Sequence, residues 1–304
     1  MSQRIAIATA AEFPDLDEDG PALLAALRER GCAAEPAVWT DESADWPAYD
    51  LVVVRSTWDY APKRDQFVAW AHRVARVTRI ANPAPVLEWN TDKTYLRSLA
   101  EAGIPVVPTA WLVPGDTFTP PESGEYVVKP AVSAGSQDTN RYHAGDHDEL
   151  AAAHVQRLLE AGRTVMVQPY IADVDTLGET AMLFSGGRFS HAIRKGPLLT
   201  PAMGAFDGWY LQEQIQPREP SPAEQDLAER VLDSLAGLAP VRREDLTYAR
   251  VDLLPGPDGS PIVIELELAE PSMFLVHDGA DGAKAAAQLA DAIVDTTQSG
   301  GFES

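Results

Sequence analysis

Cysteine is almost absent from the 304-residue sequence, in which Cys32 is the single example. One cysteine cannot form an internal disulfide or a cysteine-based metal cage, so the sequence predicts a reducing compartment, and we expect the cytoplasm. No apolar run approaches the ~20 residues that cross a bilayer. The first eight residues also lack the apolar core of a signal peptide. Membrane insertion and secretion are therefore not expected.

Basic side chains are also scarce, with 24 Lys and Arg against 46 Asp and Glu and a formal net charge of −22. Such a surface repels the phosphates of nucleic acids and of anionic lipids, which are usually met by clustered basic residues. We therefore expect neither nucleic acid nor a membrane as a partner. An apolar fraction of 45% is that of a globular protein and argues against disorder.

Several common nucleotide and metal motifs are missing. The sequence has no G-x-x-x-x-G-K-[ST] loop, no G-x-G-x-x-G after its first apolar segment, and no H-E-x-x-H. These absences exclude the usual P-loop, dinucleotide-binding and zinc-protease sites. His143 and His147 have helical spacing, but they lie in a polar segment with glycine, and we expect surface positions rather than metal ligation.

Apolar strands and amphipathic helices alternate in the first 80 residues. The patterns predict strands at 4–9, 34–38 and 51–54, and helices at 21–30 and 65–77. This alternation is typical of a small parallel α/β sheet, in which ligands bind beyond the carboxyl ends of the strands.

The turn-rich segment 82–85 is the predicted boundary of this first part, because two prolines follow in quick succession. The pattern beyond it is that of an α+β protein. We predict helices at 92–102, 148–161, 223–238 and 283–295, and strands at 106–112, 126–129, 164–169, 180–184, 188–193, 249–254 and 262–268. The small, polar residues 296–304 are expected to be frayed.

Lysine is rare, with five examples against nineteen arginines, so each lysine suggests a need for a compact charge. Lys93 precedes a predicted helix, Lys129 closes a buried strand, and Lys195 follows another strand. A lysine that closes a buried strand needs a partner for its charge. Chance placement on a solvated face is sufficient to explain Lys63 and Lys284.

Small residues follow Lys129 over 130–137, and their backbone N–H groups and hydroxyls could cover phosphates. The strand at 164–169 then runs into a turn stiffened by Pro169, and Asp175 follows shortly after. Such a linker offers backbone polar groups for an adenine edge and a carboxylate for a ribose.

Acidic residues alternate with apolar ones near the C-terminal end of the sequence. Alternation places Arg250 and Asp252 on one face of their strand, and Glu265 and Glu267 on one face of theirs. If the strands pair through a turn at 255–259, three carboxylates and an arginine converge. Such carboxylates repel one another and need a cation, for which Mg²⁺ is the natural choice. The alternative is an exposed, charge-rich sheet face.

The order of these features along the sequence resembles that of the ATP-grasp ligases, and the resemblance covers nearly the whole chain. The resemblance is to the glutathione-synthetase-like branch, and it rests on segments 55–60, 89–93, 189–195 and 265–274. It implies an ATP-grasp fold with an N-terminal parallel α/β domain. The implied division is an N-terminal substrate-contacting domain (1–86), a central lid subdomain (87–172) and a C-terminal subdomain with the magnesium site (173–304).

The resemblance also implies roles for individual residues, with ATP and two Mg²⁺ ions as cofactors. ATP would be held by Lys93, Lys129, Gln168, Tyr170, Ile171 and Asp175, beneath a lid formed by Ser133, Ala134, Gly135 and Ser136. The metal ligands would be Asp252, Glu265 and Glu267, and the charge of the transferred phosphoryl group would be offset by Arg194, Lys195 and Arg250. Many family members have asparagine in place of Glu267, so the extra charge would tighten Mg²⁺ binding or bring another cation. The role of Glu179 stays open.

The loop after the third predicted strand is the expected contact for an amino-acid-like substrate. Arg55 could pair with a carboxylate and Asp59 with an ammonium group, while Ser56, Trp58 and Tyr60 wall the site. Alternatively, the two aromatic side chains cap the core of the first domain.

The resemblance implies that a carboxylate is activated as an acyl phosphate and then attacked by nitrogen. The nitrogen is expected to belong to the same molecule, as in the closure of O-ureido-D-serine to D-cycloserine in antibiotic biosynthesis. Two alternatives stay open: a peptide-type ligase that joins two molecules, and a regulator that binds ATP without turnover. A homodimer is the default oligomer.

Overall fold

The computed structural model describes residues 2–199, 214–279 and 282–298, which contain three β-sheets. Among these residues, no helix is long and apolar enough to cross a membrane. The three sheets surround a common cavity, and their order along the chain determines which residues reach it.

The first sheet is parallel, with the order β2-β1-β3-β4. Its strands are β1 (Arg4–Thr9), β2 (Ala33–Val38), β3 (Leu51–Val54) and β4 (Arg79–Ala81), and its first two helices are α1 (Gly20–Glu29) and α2 (Arg64–Val74). β3 is apolar throughout because both of its faces are buried. Leu51 and Val53 join the cluster that contains α1, whereas Val52 and Val54 join the cluster that contains α2.

The second sheet is antiparallel, with the order β5-β8-β6-β7. It consists of β5 (Ala110–Leu112), β6 (Glu125–Pro130), β7 (Asn140–His143) and β8 (Val165–Pro169). Helix α5 (Asp148–Glu160) covers one face with Val155 and Leu158, which are fully buried against Val128 and Val165. Lys129 therefore lies at the end of a well-packed strand.

The third sheet is antiparallel as well, with the order β11-β10-β9-β12-β13. Its strands are β9 (Glu179–Ser185), β10 (Arg188–Lys195), β11 (Ile215–Arg218), β12 (Tyr248–Pro255) and β13 (Pro261–Glu267). Helix α7 (Pro222–Leu238) packs on it and begins with a capping box, in which Ser221 and Glu224 satisfy each other's backbone N–H groups.

The remaining helices are α3 (Ala84–Asn90), α4 (Tyr95–Glu101), α6 (Val174–Leu177) and α8 (Ala283–Gln298). The hydroxyl of Tyr95 and the amide of Asn90 both bond to the backbone of Leu266, so α3 and α4 pack on the third sheet. In turn, α8 packs on α1. Each sheet falls within one of the three ranges expected from the sequence. However, α3 spans the boundary between the first two ranges, α4 packs on the sheet of the third range, and α8 packs on α1 of the first. The three-domain division therefore stays a prediction.

Most of the expected long elements are present, and the differences have local causes. The strand expected at 106–112 is confined to β5, because Pro105 and Pro108 cannot donate ladder hydrogen bonds. The helix expected at 92–102 begins only at Tyr95. The helix expected at 65–77 ends at Val74.

Five short elements were not predicted, since three to seven residues are too few for a clear period: β4, β7, β11, α3 and α6. The expectation of fraying from residue 296 is wrong for its first three residues, because α8 continues to Gln298. There the hydroxyls of Thr296 and Thr297 donate to the carbonyls of Ala292 and Val294. Residues 299–304 lie outside the described residues.

The buried His154 of α5 makes the stability of the protein depend on pH. Burial lowers the pKa of His154 from 6.5 to about 4. Between these values the unfolded chain binds a proton that the folded protein does not, so stability falls as the pH is lowered from 6.5 towards 4. We expect His154 to contribute a loss of about 2 kcal/mol over this range. His154→Asn should remove that part of the pH dependence in urea unfolding, whereas His143→Asn on the surface should not; equal profiles for all three proteins would contradict the prediction.

Candidate active site

A cavity of about 620 Å³ lies where the three sheets meet. One wall is formed by the ends of β12 and β13, a second by β6, β8 and the small-residue loop, and a third by loops of the first sheet. The cavity is lined by lysines, carboxylates and apolar side chains, which suits a ligand with both charged and flat apolar parts.

The acidic wall results from the pairing of β12 with β13. The strands form an antiparallel hairpin in which Arg250 is opposite Glu267 and Asp252 is opposite Glu265. Carboxylate oxygens of Asp252, Glu265 and Glu267 all lie within 4.8 Å of one another. The convergence expected from the alternation of residues is therefore confirmed, and the alternative of an exposed sheet face is wrong.

Basic side chains surround these carboxylates. Asp252 is 1% exposed and accepts hydrogen bonds from Arg250 Nε at 2.8 Å and from Lys195 Nζ at 2.7 Å. Arg250 also bonds to Glu267, and Lys93 Nζ lies 3.0 Å from Glu265 Oε1. Every acidic group of the cluster thus has at least one cationic neighbour.

The pKa values of Asp252 and Glu267 are shifted in opposite directions. Burial opposes ionisation of Asp252, but Arg250 and Lys195 outweigh it and hold the pKa of Asp252 well below its usual range. The pKa of Glu267 is instead raised to about 8 by burial and by the charges of Glu265 and Asp252. Three oxygen-donor groups that lie within 4.8 Å of one another fit a hard divalent cation such as Mg²⁺.

Two lysines face the cavity beside this cluster. Lys93 Nζ donates to the Ser133 carbonyl at 2.8 Å, which ties the small-residue loop to the acidic wall. Lys129 is also buried, and its backbone pairs with Met166, but its ammonium group makes no hydrogen bond or ion pair with any residue within 2–199, 214–279 and 282–298. Burial lowers the pKa of Lys129 to about 8. A buried lysine that lines a cavity and has no carboxylate of a described residue within ion-pair distance is suited to bind an anionic group of a ligand.

The small-residue loop closes one side of the cavity. Ser133, Ala134, Gly135 and Ser136 all line it, as the sequence led us to expect of a lid. Gly135 and Ser136 have φ values of +60° and +61°, a left-handed conformation that directs successive N–H groups to one side. Such a concave backbone is suited to phosphate oxygens.

Another part of the cavity lining is largely apolar. Gln168, Tyr170 and Ile171 line it together with Val127 and Leu254. The Tyr170 ring is covered by the Arg141 guanidinium at 3.5 Å from the ring centroid. This part suits an aromatic ring with polar edges.

Asp175 and Arg194 are not among the described residues that line the cavity. Asp175 Oδ1 accepts from the Tyr170 hydroxyl at 2.5 Å, and Asp175 Oδ2 lies 3.3 Å from Arg141. Arg194 Nε donates to the Leu177 carbonyl at 2.7 Å. Because neighbouring residues of a strand face opposite sides, Lys195 points into the cavity and Arg194 away from it.

Four of the five expected substrate residues also lie outside the described lining of the cavity. Trp58 lines it, whereas Arg55, Ser56, Asp59 and Tyr60 are buried nearby. Asp59 accepts from Trp39 Nε1 at 2.7 Å and pairs with Lys63. Tyr60 packs on Phe67 at 5.1 Å. The structure thus gives core contacts to Asp59 and Tyr60, in agreement with the capping alternative for Tyr60.

Sequence reasoning left the role of Glu179 open and missed several other lining residues. Glu179 lines the cavity and bonds to Lys195 at 2.6 Å. Around Trp58 the wall is completed by Phe13, Glu270, Ser272, Phe274 and His277. Burial raises the pKa of Glu270 to about 7. Of these residues, only Glu270 could have been suspected from the sequence, because it follows the E-x-E pair by three positions.

Comparisons with known proteins agree with this architecture. A family model described as the N-terminal domain of D-cycloserine synthetase DcsG matches residues 5–82. The cycloserine biosynthesis protein DcsG of Streptomyces lavendulae is 39% identical over 289 residues, which cover 91% of this chain and 95% of that protein.

Solved structures show the same relationship. A crystal structure of D-cycloserine synthetase DcsG matches with a TM-score of 0.86 and 37% identity, over 97% of this chain and 99% of that one. A D-alanine–D-alanine ligase from Bacillus anthracis shares the fold, with a TM-score of 0.66 and 16% identity over 98% of both chains. The fold is that of an ATP-grasp ligase. Within that class, the chain belongs to the family of D-cycloserine synthetase DcsG.

Proposed function

We propose that this ligase uses ATP to cyclise O-ureido-D-serine to D-cycloserine. The proposal is supported by 39% identity to the DcsG of Streptomyces lavendulae over nearly the whole chain. The observation that carries it is the cluster of three carboxylates within 4.8 Å of one another, two of which, Glu265 and Glu267, line the cavity together with Lys129, whose ammonium group has no ion pair with a described residue.

In this proposal ATP spans the cavity. Its phosphates lie between Lys93, Lys129 and the loop of Ser133 to Ser136, and its adenine lies against Gln168, Tyr170 and Ile171. Asp252, Glu265 and Glu267 would hold two Mg²⁺ ions, which would supply positive charge to offset that of the phosphates. Asp252 is kept although it is not in the described lining, because its carboxylate lies within 4.8 Å of those of Glu265 and Glu267. Asp175 and Arg194 are left out, since neither lines the cavity or belongs to this cluster.

The protein acts by positioning and by balancing charge. Lys195 and Arg250 line the cavity next to Asp252 and would stabilise the charge that develops as the γ-phosphoryl group moves to the substrate carboxylate. Closure of the small-residue loop would keep water from the acyl phosphate. No side-chain nucleophile is required.

The atoms of the reaction balance with one water molecule. The substrate nitrogen bound to oxygen attacks the acyl phosphate, phosphate leaves, and a five-membered ring forms. The ureido carbonyl group is lost by hydrolysis as CO₂ and ammonia. Each turnover therefore consumes ATP and water and yields ADP, phosphate, CO₂, ammonia and D-cycloserine. We place this reaction in the cytoplasm, with a homodimer as the expected assembly.

The test is an incubation of the purified protein with ATP, Mg²⁺ and O-ureido-D-serine. ADP release and mass spectrometry of the organic product should show one D-cycloserine per ADP without any added amine. O-ureido-L-serine serves as the stereochemical control. ADP formation only with a separate acid and amine would replace cyclisation by two-substrate ligation. Binding of ATP without ADP release from any acid would favour the regulator.

A further inference from the structure

A buried carboxylate of the first sheet reaches across to the loop that follows β13. Asp19 lies just before α1 and is 1% exposed. Its Oδ2 accepts from the N–H of Met273 at 2.8 Å, and its Oδ1 accepts from the N–H of Leu275 at 2.6 Å. Arg55 Nη2 lies 3.1 Å from the same carboxylate and balances its charge.

The residue between these two amides has an unusual backbone. Phe274 has φ +48° and ψ +39°, the left-handed conformation that residues with a Cβ rarely adopt. Such a conformation persists when surrounding bonds fix it. Asp19 supplies a bond on each side of it, and the Phe274 carbonyl is held by His191 Nε2 at 3.2 Å.

The restrained loop touches the acidic wall through Arg250. The guanidinium of Arg250 lies 5.5 Å from the centroid of the Phe274 ring, and Nη1 donates to the Ser272 carbonyl at 3.1 Å. The same guanidinium bonds to Asp252 and Glu267. A continuous set of contacts therefore runs from Asp19 through the loop to the carboxylate cluster.

We propose that Asp19 is a positioning residue: by clamping the amides on both sides of Phe274, it holds the loop that orients Arg250 and the carboxylates next to it. Asp19 lines the cavity, but both of its carboxylate oxygens are engaged by the loop amides, and it acts through these contacts. Its counter-ion Arg55, which the sequence suggested as a substrate contact, takes part in the same clamp, and Arg55 Nη1 donates to the Pro271 carbonyl at 2.5 Å. The predicted effect of this clamp on kcat rests on the proposed function.

Asp19→Asn tests the clamp, because asparagine keeps the size of the side chain but has one acceptor oxygen for three donors. The dissociation constant of a non-hydrolysable ATP analogue is measured with Mg²⁺ and with EDTA. We expect Mg²⁺ to improve binding ~10-fold less in the variant than in the wild type, with affinity in EDTA unchanged. In the cyclisation assay, kcat should fall by a similar factor.

Asp17→Asn is the matched control. Asp17 lines the cavity as Asp19 does, and its carboxylate lies 3.9 Å from Arg55 Nη2, but the described part of the chain shows no bond from it to the loop amides. It should keep the wild-type effect of Mg²⁺ on nucleotide affinity. If Asp19→Asn lowers only the Tm and keeps both the Mg²⁺ effect and kcat, Asp19 is merely structural and the inference fails. An equal loss in both variants would also overturn it.

Phe274→Leu provides a second route, should Asp19→Asn not fold. It removes the ring beside Arg250 and leaves the Asp19 carboxylate in place, so it should reproduce the weaker Mg²⁺ effect. In the double variant the losses should not add, because both changes interrupt one set of contacts. A wild-type Mg²⁺ effect in Phe274→Leu would contradict the inference. Failure of the wild type itself to bind the analogue would instead overturn the proposed function.

Discussion

Asp252→Asn should lower kcat for ADP formation by at least ~100-fold, because the change removes charge where phosphoryl transfer needs it. Asp252 is the carboxylate to which both Arg250 and Lys195 donate hydrogen bonds. The neutral amide attracts a divalent cation less and leaves these two cations without their shared partner. Steady-state kinetics and equilibrium binding of ATP measure the two consequences separately.

Nucleotide affinity should survive in part, since the apolar part of the cavity around Tyr170 and Ile171 is untouched. Asp226→Asn is a suitable control: Asp226 also pairs with an arginine, Arg230, but it lies exposed on α7. Its kcat should equal that of the wild type. If Asp252→Asn changes neither turnover nor binding, the metal-site interpretation is wrong.

Lys129→Met should have opposite effects on the free protein and on ATP binding. Burial lowers the pKa of Lys129 to about 8, which means that the charged ammonium group destabilises the folded state. Methionine has a similar length and no charge, so we expect the ligand-free protein to gain about 1–2 kcal/mol of stability. The Kd for ATP should rise at least ~30-fold, because a charged contact to phosphate is lost.

The pH dependence provides a further check. Between pH 8 and the ordinary lysine pKa of 10.5, the unfolded chain holds a proton at Lys129 that the folded protein has released. The wild type therefore gains stability over this range, and the advantage of Lys129→Met should shrink. Lys284→Met, on the exposed face of α8, should change neither stability nor ATP affinity. A destabilised Lys129→Met variant with normal ATP binding would contradict the prediction.

The features that the sequence predicts best depend on local pattern. Two-residue alternation predicts the faces of β12 and β13, and a turn of suitable composition predicts their pairing, so the convergence of Asp252 with Glu265 requires no further information. The apolar run of β3 predicts a strand covered on both sides. Lys129 could be singled out because a charge at the end of a buried strand is costly.

The features that the sequence does not predict depend on tertiary partners. Arg55 follows β3 at the end where ligands bind in parallel sheets, and this position suggested a substrate contact. Its partner Asp19 lies 36 residues earlier, and no periodicity connects the two. Likewise, nothing in the pattern indicates that the loop with Ser272 and Phe274 lines the cavity. Local sequence thus predicts the strands of the site, but not the contacts between distant loops.

The packing of α8 on α1 has a consequence for the synthesis of the protein. Leu27 of α1 and Leu289 of α8 belong to one buried cluster, and Arg30, directly after α1, pairs with Asp291 of α8. When the ribosome has released the first sheet, the helix that covers this face has not yet been made. The emerging chain must hold an apolar surface without its cover while the other two sheets are translated, which makes the first sheet a candidate for chaperone protection until the last helix arrives.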